Sequence, residues 1–149
     1  MYTTVFALLA VGAGACIALQ ASANSSLRKN LGDNPLAAAG LSICGTILTA
    51  TLAVLLLRPP VPAAEALRAA PWWNWVGGPL GALIVLAGAA LTRELGAALF
   101  ISLVVGGQLL CSLALDHFGL MGLAVHPLSP GRAFGATLVV AGALCVKYL

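Results

Sequence analysis

Charged residues divide the chain into long runs of apolar residues. The hydrocarbon core of a bilayer is about 30 Å thick and takes about 20 apolar residues of helix. Four uncharged runs reach this length, and a fifth is shorter, with Arg132 and Lys147 at its ends. At about 1.5 Å per residue, the fifth run covers only about 21 Å. It crosses the membrane only if the side chains of Arg132 and Lys147 reach to opposite interfaces. The uncharged runs are residues 1–27, 34–57, 69–92, 95–115 and 133–146.

This pattern predicts an all-α membrane protein with five transmembrane helices in a single domain, residues 1–149. Two junctions support the boundaries, because a capping side chain precedes a proline at Asn34-Pro35 and again at Ser129-Pro130. The predicted helices are about 4–26, 35–57, 72–91, 95–115 and 131–148.

Composition excludes several other classes of protein. Hydrophobic residues make up 61% of the chain and charged residues 7%, with a mean hydropathy of +1.05. A soluble domain of this size could not bury so much apolar surface. The formal charge of +3 is scattered along the chain, which argues against nucleic-acid binding. The four cysteines lie far apart with no histidine at ligand spacing, so we expect buried thiols and neither a metal nor a cofactor. No catalytic constellation is recognisable, so we do not expect an enzyme.

Lysines and arginines are almost evenly divided between the two membrane faces, since five spans place the termini on opposite faces. The face with the N-terminus has three such side chains plus the amino terminus, and the other face has four. A difference in the number of lysines and arginines between the two faces sets the orientation of a membrane protein. The balance therefore predicts insertion both ways up and an antiparallel homodimer of ten helices, an inverted repeat built from one sequence. The alternative is that one interfacial charge or a partner protein fixes the orientation. The first set is Arg58, Arg68 and Arg132, and the second is Arg28, Lys29, Arg93 and Lys147.

Polar side chains within the predicted helices indicate a candidate substrate path. Gln20 and Asn24 are four residues apart and share a helix face. Carboxamides are costly in hydrocarbon, so they either line a cavity or join helices, and both interpretations stay open. The tryptophans around Trp73 favour an aromatic belt at the interface, with a ligand-facing ring as the alternative. The predicted substrate-binding residues are Gln20, Asn24, Thr46, Trp73 and Gln108.

Asp116 and His117 come at the end of the fourth predicted helix. The pair is compatible with proton exchange, because histidine titrates near neutrality, but a cap at the membrane interface is the favoured interpretation. A proton-driven antiporter usually keeps a carboxylate deep in the membrane. No predicted span has one, so the sequence does not indicate the coupling ion.

Four segments are spread over residues 19–142: LQASANSSLRKNLGDNPLAAAGLSICGT, PWWNWVGGPLGALIV, LGAALFISLVVGGQLLCSLALDHFGL and PLSPGRAFGATLVVAG. The second and third combine a tryptophan cluster with a Gly-Gln and an Asp-His-Phe-Gly run. Together the segments resemble the YdcZ-type small inner-membrane exporters, a bacterial family of the drug/metabolite transporter superfamily. The resemblance implies a five-helix half-transporter in the bacterial inner membrane. It also implies pairing as a homodimer, as a heterodimer or within a fused ten-helix chain, and no catalytic residues.

The expected function is transport of a small polar or amphiphilic solute by alternating access. The expected partners are that small-molecule substrate, the lipid bilayer and a second copy in an antiparallel homodimer. The alternative is a non-transporting membrane assembly factor, or a partner subunit with a fixed orientation.

Overall fold

The computed structural model describes residues 2–149, which form six α-helices joined by turns and loops, with no strand among them. Two short 3-10 turns, Trp72–Trp75 and Leu120–Gly122, lie in the longer connections. The helices are α1 (Tyr2–Asn30), α2 (Pro35–Leu57), α3 (Ala64–Ala69), α4 (Gly77–Leu95), α5 (Ala97–Phe118) and α6 (Pro130–Tyr148).

Four helical segments among the described residues are long and apolar enough to cross a membrane. The helix α6 has 19 residues but includes Arg132 and Lys147 within its length. It is not one of the four, so the fifth span remains a prediction. The four segments are Thr3–Asn30, Pro35–Leu57, Trp72–Leu95 and Ala97–Phe118.

Helix ends differ from the predicted ones at two kinds of place. The predicted start at residue 72 is wrong for the α-helix, because Trp72–Trp75 forms a 3-10 turn and α4 begins at Gly77. The other differences occur where a charge was taken as the end of a span. The first helix continues past Arg28 to Asn30, and α4 continues past Arg93 to Leu95. Cations are favourable in the last turn of a helix, where they offset the partial negative charge of the free carbonyls. The short helix α3, within the proline-rich connection, was not predicted.

Both predicted caps are confirmed. The Asn34 side chain accepts a hydrogen bond from the backbone N–H of Ala37 at 3.1 Å, and the Ser129 hydroxyl accepts one from the N–H of Arg132 at 3.3 Å. Each cap is followed by a proline in the first helical turn. These contacts satisfy N–H groups that the helix itself leaves without partners.

The chain divides into two compact units, Met1–Arg93 and Glu94–Leu149. In the first unit, α2 and α4 approach through alanines, and Ala38 and Ala89 are completely buried. Small side chains let membrane helices come close, where dispersion replaces the missing hydrophobic drive. Larger side chains pack around this contact: Leu27, Leu31, Val85 and Leu86.

An ion-pair cluster joins α1, the following turn and α4 in the first unit. Asp33, at φ 63° in that turn, contacts Nε of Arg28 at 2.8 Å and Nη1 of Arg93 at 2.6 Å. The Nη1 atom of Arg28 also donates to the carbonyl of Ala90 at 2.7 Å. Hydrogen bonding from Arg28, with the positive charge of both arginines, lowers the pKa of the Asp33 carboxyl from its usual value of 3.8.

In the second unit, α5 and α6 pack against each other along their lengths. The helix α6 buries Ala136 and Ala143, seven residues apart and therefore on one face. The turn after α5 begins at Gly119, whose φ of 59° is left-handed.

Replacing Asp33 with asparagine is expected to lower the thermal midpoint of unfolding by a few degrees at neutral pH, because Arg28 and Arg93 lose their shared acceptor. Because the pKa of Asp33 is lower in the folded protein than in the unfolded chain, its carboxylate stabilises the fold fully at a pH above the pKa of the unfolded chain. This stabilisation is lost as the pH falls through the pKa of the folded protein. Thermal unfolding of the wild type and of Asp33→Asn in lipid nanodiscs should therefore give different midpoints at pH 7, and the difference should shrink at about pH 3.

The matched control for this experiment is Glu65→Gln, which removes an exposed carboxylate from α3. It should leave the midpoint unchanged. An Asp33→Asn protein that melts like wild type at pH 7 would show that the cluster contributes nothing to stability.

Candidate functional site

The helices α5 and α6 enclose a groove of about 550 Å³ in the second unit. Its α5 wall comes from Leu110, Leu113, Ala114 and His117, and its α6 wall from Ala133, Ala136, Thr137 and Val140. Both sets repeat at spacings of three and four, which places each on one helix face. Phe118 and Leu128 complete the lining.

Two polar side chains, Thr137 and His117, lie among the apolar groups of this groove. The Thr137 hydroxyl donates to the carbonyl of Ala133 at 3.0 Å, so it is used by its own helix. Nδ1 of His117 accepts a hydrogen bond from the N–H of Leu128 at 3.0 Å. An imidazole nitrogen that accepts carries no proton, so this geometry assigns the proton of a neutral ring to Nε2.

The connection between α5 and α6, residues 119–129, is tied back to both helices. Its His126 N–H donates to the backbone carbonyl of Asp116 at 2.8 Å, and its His126 carbonyl accepts from Nη1 of Arg132, also at 2.8 Å. The Arg132 guanidinium and the Asp116 carboxylate form an ion pair. Asp116 therefore acts as an anchor at the helix end with Arg132 as its partner, in line with the interpretation of this position as a cap.

Close packing at Gly119 shapes the start of the connection. A Cβ atom at this position would lie 2.6 Å from Cγ2 of Val125. Two further residues of the turn, Met121 and Gly122, have φ of 56° and 78°. The close contact with Val125 requires a residue without a side chain at this position, and glycine adopts the left-handed φ without strain.

The predicted site residues of the first unit are not joined to one another. Gln20 and Thr46 are exposed, and the Thr46 hydroxyl donates to the carbonyl of Ser42 at 3.1 Å. Asn24 is only 5% exposed, and its Nδ2 has no hydrogen-bond partner among the described residues. Trp73 is half-buried and contacts the ring of its neighbour Trp72 edge-to-face.

The remaining predicted residue, Gln108, lies on α5 and is exposed. At about 100° per residue it lies roughly 180° around the helix from His117. It therefore projects away from the groove that α5 forms with α6.

The cysteines do not match the expectation from sequence. All four are exposed, whereas buried thiols were expected. They lie within helices whose apolar side chains also face outward, so an exposed cysteine here is one more small apolar group on a surface that the bilayer covers. Among residues 2–149, no group of three His, Cys, Asp or Glu side chains could hold a metal ion.

A comparison with known protein families gives a match over residues 5–145, to the family described as "Putative inner membrane exporter, YdcZ". The chain belongs to this family. The protein is accordingly a multi-pass protein of the inner membrane, in agreement with its four apolar spans.

One curated relative is the inner membrane protein YdcZ of Escherichia coli (strain K12), which is 35% identical over 82 residues. The match covers 55% of this chain and 54% of that protein, so the chain spans about half the length of the relative. No solved structure matches the chain.

Polarity alone did not reveal the α5–α6 groove, because most of its lining is apolar. The available signal was a pair of matching stripes at spacings of three and four, Leu110 to His117 on α5 and Ala133 to Val140 on α6. Such stripes also occur on ordinary packed helices, so they indicate contact before they indicate a site.

Replacing Gly119 with alanine is expected to loosen residues 119–129. The new methyl group would clash with Val125 and force a left-handed φ on a residue with a side chain, which costs about 1 kcal/mol or more. Hydrogen exchange in nanodiscs should show faster exchange in this connection and unchanged exchange in the middle of α5.

Gly107→Ala is the matched control, because Gly107 lies within α5 with open space around its Cα. Alanine favours a helix more than glycine does, so exchange should not rise. If Gly119→Ala leaves the connection as protected as in wild type, the close contact with Val125 does not hold it.

Proposed function

We propose that this chain is a transporter subunit of the inner membrane that exports a small amphiphilic compound by alternating access, as an antiparallel homodimer of five-span chains. The observation that carries the proposal is the α5–α6 groove, an apolar cleft with one histidine on its edge. Membership of a family described as inner-membrane exporters supports the transport role.

The groove narrows the class of substrate. Its volume of about 550 Å³ is within the range of sites for small molecules. The lining offers contact to an apolar body, while Nε2 of His117 is left to donate one hydrogen bond to a polar group. A compound with an apolar body and one polar acceptor fits this lining better than a compact, wholly polar metabolite.

The exposed glutamines support a second copy in the transport unit. Gln20 and Gln108 lie within helices apolar enough to span the membrane, and both side chains are exposed. A carboxamide in hydrocarbon has several donors and acceptors to satisfy, which lipid tails cannot do. A second copy would supply partners and a shared path. Asn24, Thr46 and Trp73 remain predictions for the lining of that path.

Two antiparallel copies also suit the even distribution of lysines and arginines. With no clear excess on either face, one sequence can supply both orientations. The pair then has the inverted symmetry that many transporters encode within one chain. In such a pair the two grooves would open towards opposite faces of the membrane.

Filling the groove is expected to abolish export. Ala114 lines its α5 wall and is exposed, so Ala114→Phe places a ring in the space without replacing a buried side chain. Cells that express the wild type should first be screened for the amphiphilic compound whose accumulation falls most. Export of that compound should then drop by about tenfold or more, equivalent to a loss of roughly 1.4 kcal/mol of binding.

Ala141→Phe is the matched control, because Ala141 is exposed on α6 but does not line the groove. It should export like wild type at equal expression. Equal export by both variants would rule out the groove as the substrate site. If no compound responds to expression of the wild type, the result favours the non-transporting partner subunit.

A further inference from the structure

Nδ1 of His117 has two competing uses. Its lone pair accepts the hydrogen bond from the N–H of Leu128 at 3.0 Å. A proton would bind to the same lone pair and turn this nitrogen from an acceptor into a donor. Histidine ordinarily changes its charge between about pH 5 and pH 8.

Leu128 forms one wall of the groove, which we call the Leu128 wall, and the hydrogen bond from its N–H to His117 holds this residue in place. Its side chain lines the cleft together with His117. On one side of it, His126 is fixed by its contacts with Asp116 and Arg132. On the other side, Ser129 caps α6. The intervening Pro127 has no N–H, so Leu128 supplies the backbone donor that ties this short stretch to α5.

We propose that Nδ1 of His117 is a proton-binding site that controls the Leu128 wall of the groove. When the proton binds, the N–H of Leu128 loses its acceptor and residues 127–128 are released from α5. The contacts of His126 and Ser129 do not involve this nitrogen, so they persist. The movement is therefore local, and the rest of the connection keeps its place.

Three other charged or titratable groups surround this site. Asp116 lies on the same helix, His126 in the connection and Arg132 on α6. Asp116 and Arg132 are paired with each other, and Nδ1 of His126 contacts the carbonyl of Ala124 at 3.0 Å. His117 is therefore the group whose protonation directly removes a hydrogen bond from the groove wall.

The importance of this site for transport rests on the proposed function. If the groove binds the exported compound, a proton that releases its wall makes the binding of that compound depend on pH. The proton site itself is a property of the second unit, and it is testable without a substrate.

The sequence permits a direct measurement at Leu128. Labelling proline with ¹³C at the carbonyl and leucine with ¹⁵N gives one signal for each Pro-Leu pair, and the chain has three: 35–36, 79–80 and 127–128. In nanodiscs, exchange of the Leu128 amide is corrected for its intrinsic pH dependence. Its protection should fall by about two- to tenfold on acidification, the value of one hydrogen bond. Leu80, bonded to the carbonyl of Val76, should not respond.

Two variants assign the response to its source. His117→Gln keeps an oxygen acceptor but cannot titrate in this range, so it should remove the pH response of the Leu128 amide. His126→Gln is the matched control and should retain the response. It also leaves one histidine in the chain, whose imidazole ¹⁵N signals should titrate with the same midpoint as the Leu128 amide.

A Leu128 amide whose protection does not change with pH would overturn the proposal. So would a response that persists in His117→Gln, or an imidazole that titrates with a midpoint unrelated to that of the amide. Failure of the export experiment on Ala114→Phe would leave the amide measurement unaffected, so the two proposals can fail separately.

Discussion

Hydrocarbon offers no hydrogen bonds, so every polar group at the end of a membrane helix needs a partner within the protein or in the interface. In each unit an arginine meets this requirement at one end of the helices. Arg28 binds both the Asp33 carboxylate and the carbonyl of Ala90, and Arg132 binds both the Asp116 carboxylate and the carbonyl of His126. The turn after α1 and the connection between α5 and α6 both depend on these contacts.

The same chemistry explains why arginine and not lysine suits both places. A guanidinium carries five N–H donors in a planar arrangement, so one side chain can bind a carboxylate and a backbone oxygen together. Unpaired charges are costly away from water, and the side chain of Arg28 is only 12% exposed. Pairing with aspartate makes its position tolerable and fixes α1 against α4. In the second unit the equivalent pair holds the connection from which Leu128 reaches the groove.

Local features of the fold could be predicted from the sequence, whereas contacts between distant residues could not. Four of the five predicted spans followed from the uncharged runs, and the caps at Asn34 and Ser129 followed from neighbouring prolines. The contact between Asp33 and Arg93 joins residues 60 positions apart, and no periodicity indicates it. The groove was missed for a related reason. Polar residues were taken as the signal of a site, but Gln108 projects away from the groove and apolar residues form most of its lining.

An antiparallel pair requires both orientations of one chain in the same membrane. The most direct measurement fuses two reporters after Leu149, one active only in the cytoplasm and the other only in the periplasm. We expect comparable activity from both at matched expression, since five spans would divide the lysines and arginines almost evenly between the two faces. Activity from one reporter alone would contradict the antiparallel homodimer.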